Sequence, residues 1–218
     1  MSSKILVLPG DGIGVEVADQ AIRVIEKLNE QGLNASYEKD LVGGASYDVN
    51  GEPLTNSVLE KAKNSDAILL GAVGGSKWDD VERSKRPEAG LLGLRKELEL
   101  FANLRPALVF DALVSASTLK NEVVNNLDIM IVRELTGGVY FGQPRGIEDT
   151  PNGKKAIDTQ IYHDYEIDRI ARVAFDLARK RNNKVTSVEK ANVMETGVLW
   201  REIVKETHKD FSDITLEN

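Results

Sequence analysis

Short apolar runs alternate with helical periodicity along most of the chain. Residues 4–9 read as a buried strand, and a glycine-rich turn joins them to a segment whose apolar positions recur every three or four residues. The predicted buried face of this first helix carries Val17, Ala21, Val24, Ile25 and Leu28. A second strand at 35–40, a short helix capped by Thr55 and a third strand at 67–73 continue the pattern. Such alternation favours an α/β fold with a largely parallel sheet.

The rest of the sequence predicts further elements of both kinds. Helices are predicted at 91–101, 164–180 and 195–207, and strands at 105–109, 128–133 and 184–188. The helix at 164–180 is amphipathic, with Ile167, Ile170, Ala171, Ala174 and Leu177 facing inward. The segments 103–126 and 142–155 are predicted to be a crossing between domains and a long loop. We therefore expect two domains, 1–102 and 103–218.

Composition narrows the class of protein. The 218 residues are 41% hydrophobic and 29% charged, which suits a folded protein with a substantial core. No apolar run reaches the length of a membrane span and the N-terminus lacks a signal peptide, so we expect a cytoplasmic protein with no membrane partner. A net charge of -7 argues against a nucleic-acid partner. Because the chain has no cysteine and only His163 and His208, oxygen atoms would have to bind any metal ion.

Three arginines are candidates for binding an acid. Arg95 and Arg105 flank an apolar helical stretch, and Arg133 closes the strand predicted at 128–133. A guanidinium binds a carboxylate through paired N–H···O bonds, so the pattern indicates a small dicarboxylic acid. Leu91 and Leu92, one turn before Arg95, would contact an apolar substituent of that acid. Taken alone, the helical stretch favours a simpler interpretation, a solvated Arg95 beside ordinary core leucines.

Three other segments carry candidate chemistry. The turn at 10–14 lies where a strand meets a helix N-terminus, which favours phosphate, but its spacing fails both G-x-G-x-x-G and the P-loop pattern. A merely tight turn explains it as well. Tyr140 follows a Gly-Gly turn and could exchange a proton, or could be a packed tyrosine. Lys190 follows an apolar strand and could be a general base if partly desolvated, or a surface lysine.

Together these segments resemble the decarboxylating β-hydroxyacid dehydrogenases, the isocitrate/isopropylmalate dehydrogenase family, from residue 4 to the end of the chain. The motifs are G-D-G-I-G at 10–14, G-A-V-G-G at 71–75, E-A-G-L-L-G-L-R at 88–95, F-A-N-L-R-P at 101–106, R-E-L-T-G-G-V-Y-F-G at 133–142 and E-K-A-N-V at 189–193. The resemblance implies a two-domain fold with a large mixed, mainly parallel sheet that is not a Rossmann fold. It also implies that the C-terminal part is missing, because members of the family are longer chains, and that these 218 residues alone are an inactive part of the enzyme.

The resemblance is strongest to the isopropylmalate branch, and it implies NAD-dependent oxidative decarboxylation of (2R,3S)-3-isopropylmalate to 4-methyl-2-oxopentanoate in leucine biosynthesis. By the same resemblance Tyr140 and Lys190 are the catalytic acid–base pair. The residues that bind the acid are Arg95, Arg105, Arg133, Leu91, Leu92 and Val193. Those that bind NAD are Glu88, Asn192, Gly12, Ile13, Gly14, Gly74 and Gly75.

The resemblance also implies Mg²⁺ or Mn²⁺, whose aspartate ligands would lie beyond Asn218, and a homodimer in which Lys190 completes the partner's site. Leu91 and Leu92 favour isopropylmalate over isocitrate, because burying a third carboxylate against two leucines would cost several kcal/mol. Two alternatives stay open. One is a related enzyme acting on tartrate, homoisocitrate or isocitrate; the other is a non-catalytic fragment or paralogue. The residues themselves do not decide between NAD and NADP.

Overall fold

The structure is a computed structural model that describes residues 2–218. Two compact units make up the chain, Met1–Glu99 and Leu100–Asn218, whereas the sequence places the boundary after residue 102. No helix in the described part of the chain is long and apolar enough to cross a membrane.

The first unit is an α/β structure around a parallel sheet. Its elements are β1 Ser3–Gly10, α1 Ile13–Asn29, β2 Ala35–Lys39, α2 Gly44–Asn50, α3 Asn56–Lys63, β3 Ala67–Ala72 and α4 Pro87–Glu97. The strands lie in the order β2-β1-β3, with Ile5 beside Tyr37 on one side and Ala67 on the other. The Thr55 hydroxyl accepts a hydrogen bond from the Val58 amide at 3.3 Å, which confirms the predicted cap of α3.

Strand β1 is buried on both faces. Leu6 and Leu8 join a cluster with residues of α3 and α4, and Val7 packs with Ala18 and Ile22 of α1. Because successive side chains of a strand point to opposite faces, helices cover the sheet on both sides. The α/β class and the parallel pairing predicted from the sequence are confirmed.

Helix α1 presents a different face to the sheet than its periodicity predicts. The buried positions are Gly14, Ala18 and Ile22, whereas Val17, Val24 and Leu28 are 55%, 58% and 43% exposed. The cause is a close approach of backbones: a Cβ at Gly14 would collide with the carbonyl oxygen of Pro9. Because the helix lies so near the sheet, small residues must face it, and the prediction is wrong for the three large residues.

Helix α4 begins four residues before the predicted start at residue 91 and ends four residues before the predicted end at residue 101. Pro87 occupies its first turn, where the fixed φ of proline suits a helix and the missing N–H costs nothing. The helix ends at Glu97, and Glu99 then adopts a left-handed φ of 51°.

The second unit is built from short strands and two long helices. Its elements are β4 Ala102–Leu108, α5 Asn121–Val124, β5 Asp128–Glu134, β6 Arg145–Thr150, β7 Gly153–Asp158, α6 Asp164–Arg179, β8 Lys184–Thr186, α7 Glu195–His208 and β9 Thr215–Glu217. Strands β4 and β5 pair antiparallel, β6 and β7 form a hairpin, and β8 pairs parallel with β9. Among residues 2–218 the strands form four separate sheets, of which the largest has three strands.

The two segments predicted to be a crossing between domains and a long loop both contain regular elements. The segment 103–126 includes most of β4 and helix α5. The segment 142–155 is not a long loop, because the hairpin of β6 and β7 occupies most of it, with Ile147 opposite Ala156. Both strands are exposed on both faces, so they lack the alternation of apolar and polar residues that identifies a half-buried strand.

The core of the second unit forms where α6 packs against α7. Phe175 is fully buried and its ring lies 5.0 Å from that of Phe211, and Ile167 and Val204 complete the contact between the helices. Ile167, Ile170 and Ala171 are buried as predicted, while Ala174 and Leu177 are half-buried.

Candidate active site

Four candidate residues of the first unit lie on one face of α4. Glu88, Leu91, Leu92 and Arg95 have the spacing of neighbours on a helix surface. A different face carries the buried Gly90 and Leu94, and a Cβ at Gly90 would lie 2.6 Å from the carbonyl oxygen of Pro53. Since core packing occupies that other face, Glu88 is exposed and both leucines and Arg95 are only half-buried.

The glycine turn between β1 and α1 is organised by a residue that the sequence did not single out. Asp11 is 4% exposed, and its Oδ2 accepts hydrogen bonds from the amides of Gly44 and Gly74, each at 2.9 Å. Its Oδ1 accepts a third from the Ala45 amide at 2.7 Å. A single carboxylate therefore joins the turn at 10–14, the start of α2 and the end of β3. An aspartate inside a glycine turn was the available signal.

Three of the segments predicted to bind the cofactor meet in this unit. Gly74 has a φ of 111°, and a Cβ built on it would lie 2.8 Å from Oε1 of Glu88. Next to it, a Cβ at Gly75 would lie 3.2 Å from the ring of Trp78. By contrast, a Cβ at Gly12 would meet no atom within 4 Å, and Ile13 is 66% exposed. These features fit a dinucleotide. The backbone at Gly12 and Ile13 is exposed, and the Glu88 carboxylate can accept hydrogen bonds from ribose hydroxyls.

The described residues fit a dinucleotide, but they do not fit a divalent cation. Within residues 2–218, no group of three or more histidine, cysteine, aspartate or glutamate side chains could hold a metal ion. No chemical step is therefore assigned here to a bound metal.

Replacing Asp11 by asparagine is expected to destabilise the first unit by about 2–3 kcal/mol. Asparagine keeps the size, but one oxygen becomes an NH₂ donor that faces backbone N–H groups. Urea unfolding of the two proteins measures the difference, and Asp48→Asn is a control because Asp48 is an exposed acceptor. Equal midpoints for Asp11→Asn and the unsubstituted protein would contradict a structural role for the carboxylate.

Two of the three candidate arginines share a face of the β4–β5 pair. Arg133 lies directly opposite Asn103, and Arg105 is two residues further along β4. Directly opposite residues and residues two apart in a strand point to the same side, so both guanidiniums emerge on one face as diagonal neighbours. Arg105 is exposed and Arg133 is half-buried, which leaves both accessible to an acid.

Arg133 and Tyr140 are in direct contact. The Arg133 Nη2 donates a hydrogen bond to the Tyr140 hydroxyl at 3.0 Å, and the guanidinium carbon lies 5.4 Å from the centre of the tyrosine ring. Tyr140 is 46% exposed. The structure thus joins a predicted acid-binding residue to a predicted proton donor.

Lys190 lies in a small cavity of about 170 Å³ with Tyr162, Met194 and Trp200. Burial, and next the charge of Glu134, raise the pKa of Tyr162 above its usual value. The Lys190 carbonyl accepts a hydrogen bond from the Met194 amide at 3.0 Å, but its side chain is exposed. No hydrogen bond or ion pair joins Lys190 to Tyr140 in the described part of the chain.

The two neighbours of Lys190 in the motif are also accessible. Asn192 is exposed and Val193 is 75% exposed. Glu189, which precedes the lysine, has a side chain that is 4% exposed and accepts hydrogen bonds from Ser187 Oγ at 2.8 Å and Arg201 Nε at 2.6 Å. The buried glutamate therefore anchors the segment while the following side chains face outward.

Known proteins match the chain over almost its whole length. Residues 4–218 match the family model described as isocitrate/isopropylmalate dehydrogenase. The 3-isopropylmalate dehydrogenase of Rhodopseudomonas palustris strain BisB18 is 61% identical over 218 residues, which are 99% of this chain and 59% of that protein. The 3-isopropylmalate dehydrogenase of Chromohalobacter salexigens is 56% identical over 219 residues, which are 100% of this chain and 61% of that protein.

Solved structures also match the chain over almost its whole length. Isocitrate dehydrogenase from Methylococcus capsulatus matches with a TM-score of 0.76 and 30% identity, covering 99% of this chain and 59% of that one. A β-decarboxylating dehydrogenase from Thermococcus kodakarensis matches with a TM-score of 0.71 and 31% identity, covering 99% and 57%. The chain spans about three fifths of the length of these relatives. From its motifs, its fold and these matches, the chain belongs to the isocitrate/isopropylmalate dehydrogenase family.

Proposed function

We propose that the protein acts in the NAD-dependent oxidative decarboxylation of (2R,3S)-3-isopropylmalate to 4-methyl-2-oxopentanoate, in leucine biosynthesis, as a cytoplasmic homodimer. The observation that carries this proposal is the identity of 56–61% to 3-isopropylmalate dehydrogenases. Leu91 and Leu92, beside Arg95 on α4, support the proposal. This face of the helix can contact an apolar substituent of the acid, but it has no second cationic side chain to bind a third carboxylate.

Binding of the substrate is assigned to the arginines and leucines. Arg105 and Arg133, side by side on the β4–β5 face, can both bind one end of a diacid through charge-assisted hydrogen bonds. In the proposal Arg95 binds the other carboxylate, and Leu91, Leu92 and Val193 contact the isopropyl group.

Proton transfer is assigned to Lys190 and Tyr140. The Lys190 amine is the proposed acceptor of the proton of the substrate hydroxyl while the carbon–hydrogen bond at that carbon breaks. Bound NAD would supply the acceptor for the hydride, with Glu88, Asn192, Gly12, Ile13, Gly14, Gly74 and Gly75 as its proposed contacts. After the carboxylate leaves as carbon dioxide, Tyr140 protonates the enolate carbon. Arg133 stays hydrogen-bonded to the phenolic oxygen of Tyr140 and stabilises the negative charge that forms there. The family resemblance also implies Mg²⁺ or Mn²⁺, but no step here passes through that ion.

A substrate comparison tests the proposal. The protein is assayed with isopropylmalate and with isocitrate, each with NAD and with NADP, by following absorbance of the reduced nicotinamide. We expect kcat/KM to favour isopropylmalate by about 10³-fold, because isocitrate would bring a carboxylate against leucine side chains. Equal efficiency, or a preference for isocitrate, would refute the assignment of substrate.

Replacing Arg95 by alanine is expected to raise the apparent KM for the acid by about 10–100-fold with a smaller change in kcat. The guanidinium binds the carboxylate in both the ground state and the transition state, so its loss removes uniform binding. Lys96→Ala is the matched control, since Lys96 is the next residue of α4, is exposed and lies on a different face. If the two variants had the same KM, Arg95 would have no role in binding.

A further inference from the structure

The residue that follows Arg133 is a buried carboxylate. The side chain of Glu134 is 1% exposed. Its Oε1 accepts hydrogen bonds from Thr136 Oγ1 at 2.9 Å and from Arg169 Nη2 at 2.8 Å, and its Oε2 accepts from the Gly137 amide at 2.6 Å. Glu134 therefore closes the turn that it begins, because two of its three donors belong to the next three residues.

The partner of this carboxylate is itself held firmly. The Arg169 guanidinium carbon lies 4.5 Å from the ring centre of Phe101 and 5.4 Å from that of Tyr165. Its Nη2 also donates to Thr136 Oγ1 at 2.5 Å. In the described part of the chain Arg169 Nε is a buried donor with no hydrogen-bond partner. Contacts with the two aromatic rings and the hydrogen bond to Glu134 therefore hold the Arg169 guanidinium in place, although its Nε–H donates no hydrogen bond.

Backbone contacts fix the same turn from both sides. The Leu135 amide donates to the carbonyl of Phe101 at 2.8 Å, and the Gly138 amide donates to the carbonyl of Ile161 at 2.7 Å. Gly138 has a φ of 81°, and a Cβ there would lie 2.6 Å from the Tyr162 hydroxyl. Gly138 therefore has no room for a side chain, and the two backbone hydrogen bonds hold the path of the chain between Arg133 and Tyr140.

We infer that Glu134, together with Arg169, is the positioning residue of the Arg133–Tyr140 pair. It acts through the Gly137 amide and the Thr136 hydroxyl, and it is not assigned any contact with substrate. The hydrogen bond of 3.0 Å between Arg133 and Tyr140 spans this turn, so the bond depends on the conformation that Glu134 holds. The catalytic meaning of the pair rests on the proposed function, but the positioning itself is a matter of geometry.

The variant Glu134→Gln tests the inference. Glutamine keeps the length, but it removes the negative charge and replaces an acceptor oxygen by an NH₂ group that cannot accept from Arg169 or Gly137. Tyrosines are labelled with ¹³C at Cζ, and the Tyr140 resonance is assigned with Tyr140→Phe. The variant Arg133→Ala defines where that resonance lies when the pair is broken. We expect Glu134→Gln to move it most of the way to that position.

A matched control separates positioning from general loss of stability. Asp168 is a carboxylate of the same unit that also accepts from an arginine and a threonine, Arg172 and Thr207, but on α6 and α7. Asp168→Asn should leave the Tyr140 resonance in place. Arg169→Lys is measured as well, because it keeps the charge but not the planar stacking, and it should shift the resonance in the same direction even if Glu134→Gln does not fold.

The outcomes are distinct for the inference and for the proposed function. A Tyr140 resonance that stays at its original position in the folded variants would overturn the inference, whatever the substrate is. In the enzyme assay, Glu134→Gln should lower kcat about tenfold and leave the KM for NAD unchanged, because none of the proposed NAD contacts lies in this turn. Failure of the full-length unsubstituted protein to oxidise isopropylmalate would overturn the proposed function, and the resonance would still decide the inference.

Discussion

Replacing Lys190 by alanine is expected to lower kcat by about 10²–10⁴-fold while the apparent KM for isopropylmalate changes little. General-base catalysis acts only when the hydroxyl proton moves, so the loss falls on the chemical step. The Lys190 side chain is exposed in its unit, and its backbone carbonyl still accepts from Met194, so truncating the side chain should leave the fold intact. Steady-state kinetics at saturating NAD measures the effect.

Two comparisons make this result specific. Lys205→Ala is a control, because Lys205 is an exposed lysine of the same unit, in the last turn of α7. A small primary amine added to the Lys190→Ala enzyme should restore part of the rate, because it can accept the proton that the missing side chain accepted. A large rise in KM with unchanged kcat would mean that Lys190 binds substrate and is not the base.

Replacing Gly71 by alanine is expected to destabilise the first unit by about 3 kcal/mol. A Cβ at this position of β3 would collide with the carbonyl oxygen of Pro9 and lie 2.6 Å from that of Gly14. Both obstacles are backbone atoms of neighbouring elements, β1 and α1, so the sheet and helix would have to separate. Urea unfolding, followed by circular dichroism, gives the loss of unfolding free energy.

Gly93→Ala is the matched control for this substitution. Gly93 lies inside α4, and the nearest atom to a Cβ there is the end of the flexible Leu54 side chain at 3.1 Å. Alanine is favoured over glycine in a helix by up to about 1 kcal/mol, so Gly93→Ala should be neutral or stabilising. If both variants lost the same stability, the close approach of α1 to the sheet would not be the cause.

The alternation of elements in the first unit could be predicted from the sequence because β1 and β3 contain continuous apolar runs and are joined to segments of helical periodicity. The inward face of α1 could not, since apolar periodicity identifies large residues, whereas contact with the sheet selects Gly14 and Ala18. The hairpin of β6 and β7 gave no signal because neither of its strands has a buried face.

The candidate site divides along a similar line. Arg133, Tyr140 and the residues of α4 could be named as candidates because they fall in long motifs, and their roles stay predictions. Asp11 and Glu134 were missed, since a carboxylate near a turn is ordinarily solvated and their burial depends on residues far away in the chain. The Gly74 amide is 63 residues from Asp11, and Arg169 is 35 residues from Glu134. Contacts at such separations follow from tertiary packing, which local sequence patterns do not encode.

Seven opposed residue pairs, from Ala102 with Glu134 to Leu108 with Asp128, hold β4 against β5. A slip by a single residue would reverse the parity of one strand and send Arg105 and Arg133 to opposite sides. The shared face of Arg105 and Arg133 is therefore set by the register of the paired residues and not by the connection between the strands. A change within residues 109–127 that preserves this register is therefore expected to keep both guanidiniums on one face.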